Sequence, residues 1–262
     1  HPDNSSILLF YGNLKFLQQE HDSACHYLRK SLRINPLDYS VWVQLMSSCI
    51  SMGNYDDALK DATSAIENHP NQPFSYFVKG LVLNINEKYL EAAEILKNGI
   101  NLIIEDHILE SDLYHQLGEA YYKLNDFNKA FENFEYAIKC NAENLILLNN
   151  YSYYLALRKQ NLIRAEDLII KTLKSAPENP TFLDTYGWIL FQKEQYYKAE
   201  EIMFKAIMLS EEKVGEILEH YGDILSKIGK EKEALLFWRK AKKVGDHSKK
   251  LDDKIKFKKY VE

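Results

Sequence analysis

The chain has 262 residues, 46% of them hydrophobic and 27% charged, with a formal net charge of −5 at pH 7. That apolar share supports a packed core, whereas the acidic balance disfavours nucleic acid, whose phosphates require a basic track. No run approaches the roughly 18 uninterrupted apolar residues of a membrane span, and Cys25, Cys49 and Cys140 are too few and scattered for a disulfide framework or metal site.

The elements come as helix pairs, each marked by an anchor in its first helix, small in all but the second pair, and an alanine in its second. The first pair, about residues 5–38, carries Gly12 and Ala24. The second (39–72) carries Met46 and Ala58, the third (73–110) Gly80 and Ala92, and the fourth (111–144) Gly118 and Ala130. In the fifth (145–179), Ser152 and Ala165 lie one residue further apart, which implies an extra residue in the turn at Lys159–Asn161. The sixth (180–214) carries Gly187 and Ala199, and the seventh (215–246) Gly222 and Ala234. Successive first anchors are 34, 34, 38, 34, 35 and 35 residues apart, a fixed period that marks a repeat architecture.

Other slots repeat in step. Four residues before the anchor stand Leu8, Trp42, Tyr76, Tyr114, Leu148, Leu183 and Leu218, and four beyond the alanine stand Leu28, Ala62, Leu96, Phe134, Ile169, Met203 and Trp238. These spacings keep one helix face buried. Glycine inside a helix costs about 1 kcal/mol relative to alanine, so its recurrence at one slot implies helix crossings too close for a side chain. Pro36, Pro70 and Pro177 fall past the second helix, and Pro73 and Pro180 fall where the next begins. Gly53 and Gly229 mark turns as left-handed caps. The extra residues near Ile100–Glu110 predict a second helix lengthened by about one turn.

With this pattern the chain resembles the tetratricopeptide repeat family, whose repeat of 34 residues reads W-x2-L-G-x2-Y, then A-x3-F, then P. The resemblance spans residues 5–246, and Ser152 with its aromatic neighbours is similar to bacterial members. Lys15, Ser31 and Ile104 depart from the pattern locally. It implies an all-α fold, a right-handed superhelical α-solenoid of helix–turn–helix repeats, in one continuous domain. It also implies that first helices line a concave groove. Carried over slot by slot, the groove comprises His115, Glu119, Tyr122, Asn149, Asn150, Tyr153, Asp184, Thr185, Trp188, Phe191, Glu219, His220 and Asp223, with Leu9, Phe10, Phe16, Val43, Gln44, Phe74, Phe77 and Leu81 in the early repeats. Trp188 and Phe191 stand beside core slots already filled by Leu183, Tyr186 and Leu190. They are either anchors for a partner side chain or packing against neighbouring first helices. Asn149 and Asn150 each offer a donor and an acceptor suited to an extended peptide, or are solvated polar residues.

Both ends carry expectations. His1-Pro2-Asp3-Asn4 mirrors His69-Pro70-Asn71-Gln72, so it reads as the linker from a preceding repeat in a longer chain. An upstream signal or lipid anchor is compatible with that reading. Residues 227–262 carry thirteen Lys/Arg against six Asp/Glu, net +7, while the rest is net −12. The segment 247–262 is expected to form a capping helix with Leu251, Ile255, Phe257 and Val261 inward and lysines solvated, or else a basic surface for an acidic partner or another copy.

No phosphate loop, G-x-S-x-G, H-E-x-x-H or C-x-x-C is present, and no cofactor is expected. His115 with Glu119, and Glu219, His220 and Asp223 on one helix, do not close a metal site. The groove slots lack the Lys and Arg that hold acidic C-terminal tails. Asp184, Glu219 and Asp223 instead favour a basic or neutral segment. The chain is therefore expected to be a non-enzymatic, monomeric scaffold that captures a protein or peptide around residues 149–223, so that Trp188→Ala weakens binding in a still folded array. The alternative is a structural element that assembles through its ends or convex face.

Overall fold

A computed structural model describes residues 4–261. The linker expected at His1–Asp3 lies outside the described residues. Among those described there are fifteen α-helices and no strand. They pair as α1 (Ser5–Leu17) with α2 (His21–Ile34), α3 (Tyr39–Ser51) with α4 (Tyr55–Asn68), and α5 (Pro73–Ile85) with α6 (Tyr89–Ile100). Then come α7 (His107–Lys123) with α8 (Phe127–Cys140), α9 (Leu145–Leu157) with α10 (Leu162–Ser175), and α11 (Pro180–Gln192) with α12 (Tyr196–Leu209). The last pair, α13 (Gly215–Lys227) with α14 (Glu231–Val244), is followed by a single α15 (Leu251–Phe257). None of these helices is long and apolar enough to cross a membrane. The helices divide into two compact units, α1–α8 up to Ala142 and α9–α15 from Glu143.

In the N-terminal unit the alanine slots Ala24, Ala58, Ala92 and Ala130 are fully buried, and the facing large residues Leu28, Leu96 and Phe134 fill the gap over the small anchors. A Cβ on Gly80 would stand 2.4 Å from Leu96 Cγ and Cδ2, which is why that slot rejects a side chain. The additional residues before the fourth pair do not lengthen α6, which stops at Ile100; they extend α7 to 17 residues, beginning at His107. The cause is Asp106, whose carboxylate accepts the Leu109 amide and caps the helix a turn early.

The C-terminal unit repeats the crossing with a larger partner. The Gly222 slot faces the indole of Trp238, which a Cβ would meet at 2.5 Å. Pro180 opens α11 at its first turn, and Asn179 accepts the Thr181 and Phe182 amides. Across both units the hairpin turns have three residues, and the middle one is left-handed: Gln19, Gly53, Glu87, Asn125, Glu194 and Gly229. Only the α9–α10 turn has four, with Lys159 and Asn161 both at positive φ, where spacing placed an extra residue.

Candidate functional site

Within the C-terminal unit, α11 carries Asp184, Trp188 and Phe191 at helical spacing along one face, and α13 does the same with Glu216, Glu219, His220 and Asp223. His220 Nδ1 lies 2.9 Å from Asp184 Oδ1, and both residues are buried. Burial opposes a charge on His220, but the Asp184 carboxylate beside it, helped by Glu216 and Asp223, raises its pKa to about 9. The ring is therefore an imidazolium at neutral pH. Trp188 stacks on it with ring centres 4.2 Å apart, and Phe191 stacks on Trp188 at 4.7 Å, placing the cation over an aromatic face. Tyr153, from α9, donates to Glu216 Oε1 at 2.5 Å and brings its ring within 6.2 Å of His220. Trp188 Nε1 and Asn149 Oδ1 are buried with no hydrogen-bond partner among the described residues.

A second set of contacts comes from the chain's own C-terminal segment. Lys254, on α15, reaches Glu219 Oε1 at 2.7 Å and Asp223 Oδ2 at 2.6 Å, and only 4% of it is exposed. Glu219 also accepts the Ser248 amide at 2.7 Å and its hydroxyl at 2.5 Å. Burial raises the Glu219 carboxyl, yet these donors from Lys254 and Ser248 hold it below the usual range. Asp223 accepts the Trp238 indole N–H at 2.9 Å; its burial outweighs Lys254 and pushes its pKa up to about 6. Beyond α15, Tyr260 places its ring edge-on to Phe191 at 5.4 Å and under Lys227 Nζ at 4.7 Å, and its amide donates to Ser226 Oγ. A cleft of about 450 Å3 remains, lined by Tyr153, Trp188, Glu216 and His220 and by Ser248 and Lys254 of the C-terminal segment.

The structure thus brings together Tyr153, Asp184, Trp188, Phe191, Glu219, His220 and Asp223. Asn149 and Asn150 sit on α9, where the first donates to the second at 3.4 Å. Tyr122 belongs to the N-terminal unit and packs edge-on against Phe127. Trp188 and Phe191 are 6% and 4% exposed: Trp188 packs on His220 of the adjacent first helix, whereas Phe191 packs on Trp188, on Tyr196 of α12 and on Tyr260. Trp188→Ala consequently removes a buried ring worth about 3–5 kcal/mol, so it cannot report on binding in an otherwise intact array. The expected solvating cap is also corrected. Its helix covers only 251–257, Phe257 is exposed, and Lys254 points inward because two carboxylates await it. Glu216, Ser248, Lys254 and Tyr260 were not singled out from sequence, although Lys254 lies 35 residues after Glu219, one repeat period. Among the described residues, no group of three or more His, Cys, Asp or Glu is placed to hold a metal ion.

The family model described as Psidin, N-terminal TPR repeats region, matches residues 44–261. The chain belongs to this tetratricopeptide-repeat family. A TPR repeat-containing protein of Pseudomonas aeruginosa is 24% identical over 198 residues, covering 74% of this chain and 33% of the relative. The crystal structure of a tetratricopeptide repeat protein from Parabacteroides merdae has a TM-score of 0.72 at 17% identity, covering 97% of this chain and 98% of that one. YrrB, a TPR protein described as having an unusual peptide-binding site, has a TM-score of 0.53 at 21% identity over 70% of this chain and 91% of its own. These solved neighbours show the fold, a tetratricopeptide solenoid. The chain spans about a third or less of the length of the curated relatives it matches. Tetratricopeptide proteins mediate protein–protein interactions and are typically non-enzymatic scaffolds.

Proposed function

We propose that this chain is a non-enzymatic scaffold that captures a peptide or protein segment on the first-helix face of its C-terminal unit. The observation that carries the reading is the cleft itself. It combines a charged histidine stacked on aromatic rings, three carboxylates (Glu216, Glu219 and Asp223) and a buried Trp188 N–H with no acceptor. Such a surface offers aromatic anchorage, and its acids, two of them already met by Lys254, take a positive or neutral segment in place of that lysine rather than an acidic one. The peptide-binding site reported for YrrB supports the same use of a related fold. The test is selection of peptides from a random display library on the full chain, followed by measurement on Glu216→Gln and Asn150→Ala. Glu216 lines the cleft and Asn150 lies on α9 at an expected groove slot, and both side chains are half-buried rather than in the core. Selected peptides should bind the variants about tenfold more weakly, roughly 1.4 kcal/mol. Unchanged affinity in both would remove the groove from the account.

A second reading, assembly through an end, is favoured by α1, where Phe10, Tyr11 and Leu17 are 65%, 46% and 80% exposed. Light scattering that rises with concentration and is abolished by Leu17→Glu would support it. A monodisperse monomer would exclude it.

A further inference from the structure

A terminal cap has to cover only the last helix pair. The segment after α14 does more. Its short helix α15 is capped by Lys258, which is left-handed, and beyond it Tyr260 meets Ser226 and Lys227 at the end of α13 and Phe191 of α11. Its anchors are also unlike those of a cap. Leu251 is its one fully buried apolar residue, whereas the deepest contact is the Lys254 ammonium between Glu219 and Asp223. A buried ion triad of this kind gives little net stability, because desolvating the charges offsets their attraction, and apolar replacements are often as stable or more so. What charged partners do supply is selectivity and reversibility. The carboxylates, the aromatic wall at Phe191 and the free volume beside them are already filled in part by a lysine, followed six residues later by a tyrosine.

We propose that residues 247–261 are a built-in occupant of a lysine-accepting cleft, and that their release opens this cleft to a partner segment of the same chemistry, a lysine followed by an aromatic. This rests on the groove reading above and adds both the partner class and its regulation. In the closed state the ammonium neutralises Glu219 and Asp223, and Tyr260 covers Phe191. A competing segment must replace both contacts, so binding is weak until the segment is displaced. Other basic residues of the segment, including Lys250 and Lys258, are exposed and available to whatever draws it away.

The test uses the full chain and two variants. Lys254→Met keeps the stem and removes the charge; Tyr260→Ala loosens the far end without touching a carboxylate, and so stays informative if the first variant folds poorly. Hydrogen exchange of 251–257 reports release. Anisotropy of a labelled synthetic peptide of residues 247–261 reports occupancy in trans, with the same peptide carrying methionine in place of lysine 254 as control. The expected result is faster exchange in the variants and binding of the lysine peptide about tenfold tighter than to the parent chain, with no gain for the methionine peptide. Unchanged exchange in both variants, or equal binding of the two peptides, overturns the proposal. If library-selected peptides still depend on Glu216 and Asn150 while the 247–261 peptide fails, the inference falls and the groove reading stands. If the library peptides lose that dependence, the groove reading falls with it.

Discussion

Adding one methyl group at three equivalent slots should give three different results. Gly→Ala in a helix ordinarily gains about 1 kcal/mol. At Gly187 the new methyl would meet Met203 Cε at 2.8 Å, the mobile end of a flexible chain, with Cβ at 3.5 Å. A rotamer adjustment of about 1 kcal/mol relieves it, so Gly187→Ala should be close to neutral. At Gly80 the contacts are 2.4 Å to Cγ and Cδ2 of Leu96, a fully buried branch point. Overpacking there costs about 1–3 kcal/mol, leaving a net loss of up to about 2. Gly222 faces the rigid, fully buried Trp238 at 2.5 Å, and moving that ring also endangers its bond to Asp223. With about 1.5–3 kcal/mol for a charge-assisted bond added, the net loss should reach about 2–5. Urea unfolding of each full-length variant, read by hydrogen exchange in the unit concerned, measures the order. Equal losses at all three sites, or a gain at Gly222, would refute the claim that the facing side chain decides what the slot tolerates.

Stability of the C-terminal unit should fall as pH rises from about 6.5 through about 9. The pKa of His220 is raised from 6.5 to about 9, so its contribution is complete below about 6.5 and is lost as pH passes about 9, a ceiling on the order of 3 kcal/mol. The same melting series on Asp184→Asn should lose that slope; if it persists, the ion pair is not its source. Because Asp223 is raised to about 6, it too favours the folded state less as pH climbs from its ordinary value of 3.8. Turn substitutions should have opposite signs. Glu87→Gly relieves a left-handed residue and should gain up to about 1 kcal/mol, whereas Gly53→Ala imposes one and should lose about 1, both by urea midpoint. Asp106→Ala should cost about 1 kcal/mol and speed exchange in the first turn of α7, since that carboxylate is its cap.

The repeat period carried most of the fold in plain view. Gly80 against Leu96 and Gly222 against Trp238 are sixteen residues apart in sequence, and their complementary sizes could be read from the spacing. The left-handed turn position was visible only at Gly53 and Gly229. Elsewhere Glu87, Asn125 and Glu194 adopt it, because hairpin closure overrides their preference. The added turn went to α7 because a local cap, Asp106, outweighed the run of apolar residues after α6. At the site, the residue set on α11 and α13 was legible from the groove slots, but their burial was not. Lysine is almost never fully buried unless paired, and the partners of Lys254 stand 31 and 35 residues earlier, beyond any local pattern. Trp188 stacks because the adjacent helix supplies a charged ring, a relation visible only once neighbouring repeats are laid side by side.

That relation has a bearing on how this array can change. Proteins built by tandem copying lengthen or shorten by whole modules, provided each module suits any neighbour. Here Asp184 answers His220 in the next module, and Glu219 answers Lys254 in the one after that. Excising or duplicating the module between would strand an acid or a base inside the protein, so the final modules are fixed in sequence order, and the Arg29–Asp61 pair ties the first two modules together in the same way.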